Sequence, residues 1–176
     1  MDQSLAIWIL IVLSLGTASL PFVAQRPFVA LPWQLPGEPP RAAWLRVAES
    51  LVFFVLLAGL CRLALYLIGG ALLVGGDGAS AALFLGRLFV VFLAAALLLA
   101  YPGWRSRGHV LRKPFIVRLV EVLVLYLLVG TLGFAFEANI GNVFPQGWEF
   151  YAVTLCLYLV LAYPGFVYRY LLRRRS

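Results

Sequence analysis

The fold of this chain is decided by the stretch RLVEVLVLYLLVGTLGFAFEANIGNVFPQGWEFYAVTLCLYLVLAYPG, Arg118–Gly165. It holds the apolar run Leu119–Phe136 and most of a second run, Phe150–Tyr168, with a short and less apolar connection between them. A membrane-spanning helix needs about 20 mostly apolar residues, and these runs lack the alternation of apolar and polar residues that marks half-buried strands. The stretch therefore predicts a transmembrane helical hairpin.

Three similar runs precede this hairpin: Leu5–Ala24, Leu51–Val74 and Ala79–Ala100. The whole chain is 64% hydrophobic and 12% charged, whereas a soluble domain has about 25% charged residues. The first run follows a leader with Asp2 and no Lys or Arg, which differs from the basic leader of a signal peptide. We therefore predict an all-α membrane protein with five transmembrane helices, the first of them retained.

Basic residues are distributed very unevenly between the connections. Of the 14 Lys and Arg residues, all except Arg62 and Arg87 lie in the connection 25–50, in the connection 101–118 or after residue 168. The connections on the other side contain acidic residues and no Lys or Arg. By the positive-inside rule, the N-terminus is outside and the C-terminus is cytoplasmic. The net charge of +7 is thus a topology signal, and no nucleic-acid partner is predicted.

The word LAYPG occurs twice, at Leu99–Gly103 and at Leu161–Gly165. Upstream of the two copies, WLRVAESLVFFVLLAGL (Trp44–Leu60) resembles IVRLVEVLVLYLLVGTL (Ile116–Leu132). These landmarks in matched order predict a duplicated helical hairpin. The chain then divides into an N-terminal helix with a proline-rich inner loop (1–43), a first hairpin (44–104), and a second hairpin with a basic tail (105–176). Tandem copies keep their orientation, so a pseudo-two-fold axis along the membrane normal is expected.

Each predicted hairpin begins with an Arg-x-x-Glu pair, Arg46 with Glu49 and Arg118 with Glu121. Residues three apart share a helix face, so we expect each pair to neutralise itself at the cytoplasmic interface. Proton relay by the two glutamates is a less favoured alternative, because an ion pair is the commoner role.

Alignment of the two repeat copies also indicates how deep in the membrane the two arginines inside apolar runs lie. Alignment places Arg87 level with Glu149 and Arg62 three residues short of Glu137, toward the outer third of the membrane. One hypothesis is that Arg62 or Arg87 pairs with Glu137 or Glu149 across the hairpins. The alternative is that the long arginine side chains extend to the outer interface.

Residues for catalysis are few. The single histidine, His109, lies in a basic loop, and Cys61 and Cys156 lie inside apolar runs. The glycine-rich stretch Gly69–Ala79 lacks the lysine of a phosphate-binding loop. The sequence therefore predicts no catalytic residue, no metal site and no cofactor. In the second outer connection we expect a loop that either docks a partner or only caps the hairpin, with the candidate residues Asn139, Asn142, Gln146 and Trp148.

The second hairpin also resembles a known family. The stretch RKPFIVRLVEVLVLYLLVGTLGFAFEANIGNVFPQGWEFYAVTLCLYLVLAYPGFVYRYLLRR, Arg112–Arg174, is similar to a small bacterial inner-membrane family known as domain of unknown function 2818. Leu5–Phe28 resembles its N-terminal segment more loosely, and Pro32–Gly108 looks like an insertion that carries the extra hairpin. The resemblance implies a bacterial inner-membrane location and genes that often lie beside those of proton-pumping NADH:quinone oxidoreductase (complex I). It supplies no catalytic residues.

These observations favour a non-catalytic accessory or assembly protein of a membrane complex, with complex I as the partner that the resemblance implies. Small residues such as Gly130, Gly133 and Ala135 suit the close packing of helices in lipid. The alternative is a small transporter or channel built from a parallel two-helix repeat. The helices contain few polar groups for that role, and a membrane enzyme has the least support.

Overall fold

Five helices long and apolar enough to cross a membrane form the protein in a computed structural model. It describes residues 3–39, 42–70, 78–107, 111, 113–141 and 144–172, with the backbone alone for residues 78 and 79. The described residues contain helices and no strand. The prediction of an all-helical chain with five candidate spans is therefore confirmed. His109, Asn142 and most of the glycine-rich stretch lie outside the described residues.

In each of the five candidate spans, the helix begins before the apolar run that predicted it. The helices are α1 (Gln3–Val23), α2 (Ala43–Ala64), α3 (Gly78–Arg105), α4 (Phe115–Ile140), α5 (Trp148–Leu161) and the short α6 (Tyr163–Val167). A π-helical turn, Leu65–Gly69, prolongs α2, and a second π-helical turn, Tyr168–Leu172, follows α6. Thus α5, α6 and the second turn make up the fifth candidate span.

Local sequence explains where α4 begins and ends. Pro114 precedes its first residue with φ −65° and ψ 159°, and proline cannot donate the hydrogen bond that a longer helix would need there. Gly141 follows its last residue in the left-handed conformation, φ 79°, which glycine adopts without steric cost.

The two LAYPG words adopt different conformations. In the first copy, α3 continues through Pro102 as far as Arg105. In the second copy, the helix is interrupted at Ala162, between α5 and α6. Gly165 of the second copy lies so close to α1 that a Cβ there would be 2.7 Å from the Ser19 carbonyl oxygen. Proline alone therefore does not fix the local structure, and the interruption accompanies close packing of α6 on α1.

Helix α4 is the centre of the bundle. It packs against α1, α2, the turn after α2, and α5, whereas α3 packs on α2 and its turn. In the most apolar window of each helix, 39% of residues are buried in α4 and 11% in α3. The order of packing thus places α4 inside and α3 at the edge.

One end of the bundle, here called the basic end, gathers five segments of the chain. Lys113 contacts the connection after α1, Arg105 of α3 contacts Glu49 of α2, and Arg169 contacts Gln25. The described Lys and Arg residues other than Arg62 and Arg87 lie in the segments that meet there. This grouping is the one that the charge pattern of the connections predicts.

Candidate functional site

Among the described residues, the more buried of the two ion pairs lies at the basic end, between α4 and the segment that follows α1. Lys113 Nζ is 2.6 Å from Glu121 Oε2, and both side chains are fully buried. Lys113 also donates to the Arg26 carbonyl oxygen at 2.7 Å, and the Phe28 backbone N–H donates to Glu121 Oε1 at 2.8 Å. The ion pair therefore holds the segment after α1 against the start of α4.

The electrostatic environment of this pair is set by burial and by close charges. Burial lowers the pKa of Lys113, while the adjacent Glu121 carboxylate opposes that shift. A buried charge is tolerated when it is paired and hydrogen-bonded, and both oxygens of Glu121 have a donor. The ammonium group of Lys113 also lies 4.8 Å from the centre of the Phe28 ring, within cation–π range.

Arg118 lies one turn before Glu121 on the same buried face of α4 and is 1% exposed. Its Nη1 donates to the carbonyl oxygens of Pro21 at 2.7 Å and Phe22 at 3.0 Å, in the last turn of α1. The last carbonyls of a helix have no partner within the helix and carry partial negative charge. Arg118 therefore caps the C-terminal end of α1 from the side.

Aromatic rings pack together next to the charged residues Lys113, Arg118 and Glu121, which are here called the charged cluster. Phe22 contacts Phe115 and Phe166, and Tyr170 packs against both Phe115 and Phe166, with ring centroids 4.8–6.5 Å apart. These contacts join the ends of α1 and α6 to the start of α4. The rings bury apolar area beside the charges. The charged cluster and the rings together therefore hold the ends of α1 and α6 against the start of α4.

The structure pairs the Arg-x-x-Glu residues differently from the prediction. Neither glutamate is bound to the arginine three residues earlier: Glu121 pairs with Lys113, and Glu49 Oε1 is 3.2 Å from Arg105 Nη1. Arg46 Nη1 donates instead to the Gln34 side-chain oxygen at 3.1 Å. The prediction of self-neutralising pairs is thus wrong, because each glutamate meets a cation from another segment that approaches it more directly.

The predicted ion pairs at the opposite end are not formed. Arg62 and Arg87 are both exposed, and within the described part of the chain neither has a carboxylate oxygen within 4 Å. Arg87 Nη1 lies 3.5 Å from the Leu67 carbonyl oxygen. The physical reason is packing: α3 rests on α2, while Glu137 lines a groove on the α5 side of α4 with Phe150 and Tyr151.

The candidate residues of the partner loop differ in their surroundings: one of them joins two helices and another is exposed on the surface. Asn139 donates from Nδ2 to the Ile68 carbonyl oxygen at 3.0 Å, so its side chain helps to join α4 to the turn after α2. Gln146 is half-buried, whereas Trp148 is 75% exposed and Phe144 is 61% exposed. The described part of this loop therefore exposes two aromatic side chains.

Hydroxyl groups inside the bundle also form contacts that sequence analysis missed. Thr17 Oγ1 is 2.8 Å from Tyr158 Oη, and Tyr126 Oη is 2.8 Å from Thr154 Oγ1. These pairs join α1 to α5 and α4 to α5. Polar side chains inside a bundle commonly make such interhelical hydrogen bonds. The sequence signal for these bonds was the isolated position of each hydroxyl residue within an apolar run.

Lys113 is the other residue that sequence reasoning missed. It precedes Pro114 and lies outside α4, so no helical spacing related it to Glu121. In the described part of the chain, no three His, Cys, Asp or Glu side chains are grouped so as to hold a metal ion. Cys61 and Cys156 are free thiols.

Comparison with known proteins gives a match to a family. No curated protein and no solved structure matches the chain significantly. The family match begins in α3 and so includes part of the segment that we expected to be an insertion; it does not extend to residues 5–28. Residues 89–173, just under half of the chain, match the model of the family described as "Protein of unknown function (DUF2818)", which confirms the resemblance of the sequence to that family.

Proposed function

We propose that this chain is a non-catalytic protein of the bacterial inner membrane that serves as an accessory or assembly component of a membrane complex. In this proposal the basic end faces the cytoplasm, the N-terminus is outside, and the membrane complex is NADH:quinone oxidoreductase (complex I). The choice of complex I rests on the resemblance described above. The topology rests on the positive-inside rule.

The observation that carries the proposal is that the buried charged side chains bind other parts of the same chain. Lys113, Arg118 and Glu121 each bind other segments of this chain, and their contacts fix how α1 and α4 meet. A catalytic or transport site needs polar groups directed toward a cavity. Two apolar crevices beside α4 are lined mainly by aliphatic and aromatic side chains. This pattern supports a scaffold role for the bundle.

The exposed aromatic loop at the opposite end supports a partner surface there. Trp148 is the first residue of α5 and is 75% exposed. Tryptophan is enriched among the residues that dominate protein–protein binding energy. Trp44, at the basic end, is the matched control for Trp148, because it is 70% exposed near the start of α2.

Gentle solubilisation of native membranes, capture of the tagged protein and identification of co-purifying subunits test this proposal. We expect oxidoreductase subunits with the wild type and with Trp44→Ala, and a strong loss of them with Trp148→Ala. Migration of the wild type as a lone homo-oligomer would contradict the accessory role and favour the transporter. Equal recovery with both variants would contradict the assignment of the partner surface.

A further inference from the structure

An apolar crevice of about 340 Å³ lies between α1, α2, α3 and α4. It exists because α1 and α3 do not approach each other: none of their described Cα atoms lie within 8 Å. Leu13, Leu60, Phe92 and Leu128 are among the side chains that line it. The volume is in the range of about 300–1,000 Å³ that small-molecule sites occupy, and an empty crevice would forfeit the dispersion contacts of its walls.

The length of the crevice matches one leaflet of a bilayer. On α3 its lining runs from Val91 to Ala100, which is about 13 Å of helix at 1.5 Å per residue. The hydrocarbon core of one leaflet is about 15 Å thick, half of the full core.

An unpaired cation lies at the basic end of the crevice. Leu20, Phe28 and Ala100 line the crevice at that end, and Arg26 is two residues before Phe28. Arg26 is exposed and has no carboxylate oxygen within 4 Å in the described part of the chain. It packs beside α3 at Gly103, where an added Cβ would be 3.4 Å from Arg26 Cβ.

The charge around Arg26 is strongly positive. Lys113 donates to the Arg26 carbonyl oxygen, and Arg169 Nη2 donates to the Gln25 side-chain oxygen at 2.9 Å. Arg118 binds the end of α1 beside them. Among the described residues, one carboxylate, Glu121, contacts this group, so four cations are offset by one anion and the net charge of these five side chains is about +3. The site complements an anion.

We propose that an anionic phospholipid binds here, with its phosphate against Arg26 and one acyl chain in the crevice between α1 and α3. The charge excess selects the headgroup, because basic pockets between transmembrane helices bind anionic lipids. The apolar lining and its length accommodate the chain. A bound lipid would thus complete the bundle where α1 and α3 leave a gap.

Native mass spectrometry of the full-length protein tests the headgroup assignment. The protein is equilibrated with mixed micelles that contain equal amounts of phosphatidylglycerol and phosphatidylcholine of identical chains, and the bound lipids are counted. The wild type is expected to retain phosphatidylglycerol preferentially. Arg26→Gln reduces that preference about fivefold, the weight of one cation near an anionic surface. Arg26→Lys keeps most of it, and Arg87→Gln, at the opposite end, leaves it unchanged.

A second pair of variants tests the acyl-chain assignment. Ala96 lines the crevice in the middle of α3, and Ala96→Phe should displace the bound lipid. Ala58 is exposed in the middle of α2 and does not line the crevice, so Ala58→Phe should keep it. Equal retention of both lipids by the wild type, an unchanged preference in Arg26→Gln, or full lipid retention in Ala96→Phe would each overturn the proposal.

Discussion

Replacement of Glu121 by glutamine removes the buried negative charge at the basic end of the bundle and keeps the side-chain volume. The amide oxygen can still accept the Phe28 N–H, which Glu121 Oε1 accepts at 2.8 Å. Lys113 then loses the carboxylate that lies 2.6 Å from its Nζ and keeps the Arg26 carbonyl oxygen. A fully buried ammonium group is thereby left without a counter-charge.

We expect Glu121→Gln to lower the free energy of unfolding by about 3–5 kcal/mol, the cost of removing one partner from a buried ion pair. Glu49→Gln is the matched control, because Glu49 aligns with Glu121 in the predicted repeat. Its pair with Arg105 is partly exposed, with side-chain exposures of 43% for Arg105 and 23% for Glu49. Such pairs contribute about 0–1 kcal/mol. Titration with a denaturing detergent, followed by circular dichroism, measures both.

The double variant Lys113→Met with Glu121→Gln separates loss of the pair from loss of packing. It removes both charges and keeps an acceptor for Phe28, so most of the lost stability should return. A loss below about 1 kcal/mol for Glu121→Gln, or a double variant no more stable than Glu121→Gln alone, would refute the role assigned to the buried pair.

Two other predictions test the packing of the helices. Gly165→Ala should cost about 1–3 kcal/mol, since the new Cβ would lie 2.7 Å from the Ser19 carbonyl oxygen; Gly59→Ala, which meets no atom within 4 Å, should be neutral or stabilise α2 by up to about 1 kcal/mol. The same detergent titration measures both, and equal costs would contradict the close approach of α6 and α1. Arg87→Glu alone and Arg87→Glu with Glu149→Arg should give equal amounts of folded protein in size-exclusion chromatography, because α3 does not contact α5. A clearly higher yield from the double variant would support the cross-hairpin ion pair.

The number and type of the helices were predictable because lipid imposes a simple rule on the sequence. Each span must be apolar over about 20 residues, and that requirement can be counted along the chain. The grouping of cations at one end followed from a different pattern, the uneven distribution of Lys and Arg between alternate connections. Helix ends were less predictable, since α4 starts four residues before its apolar run, directly after Pro114.

The partners of the charged residues could not be predicted by local spacing. Arg118 and Glu121 share one face of α4, as expected, but that face is buried against the segment after α1. There, backbone groups and Lys113 provide closer partners than the two side chains provide for each other. Lys113 lies outside the helix, so its approach to Glu121 depends on the path of the chain around Pro114. That path is set by tertiary contacts, which the local spacing of residues in the sequence does not show.

The proposed function depends on the topology of the chain, and cysteine labelling in intact cells tests that topology directly. Cys61 and Cys156 are first replaced by serine, and a single cysteine is then placed at Ser106, at the basic end, or at Gln146, at the opposite end. With a membrane-impermeant thiol reagent, we expect Gln146→Cys to be labelled and Ser106→Cys to react only after the membrane is opened. Labelling of Ser106→Cys in intact cells, with Gln146→Cys protected, would contradict the account.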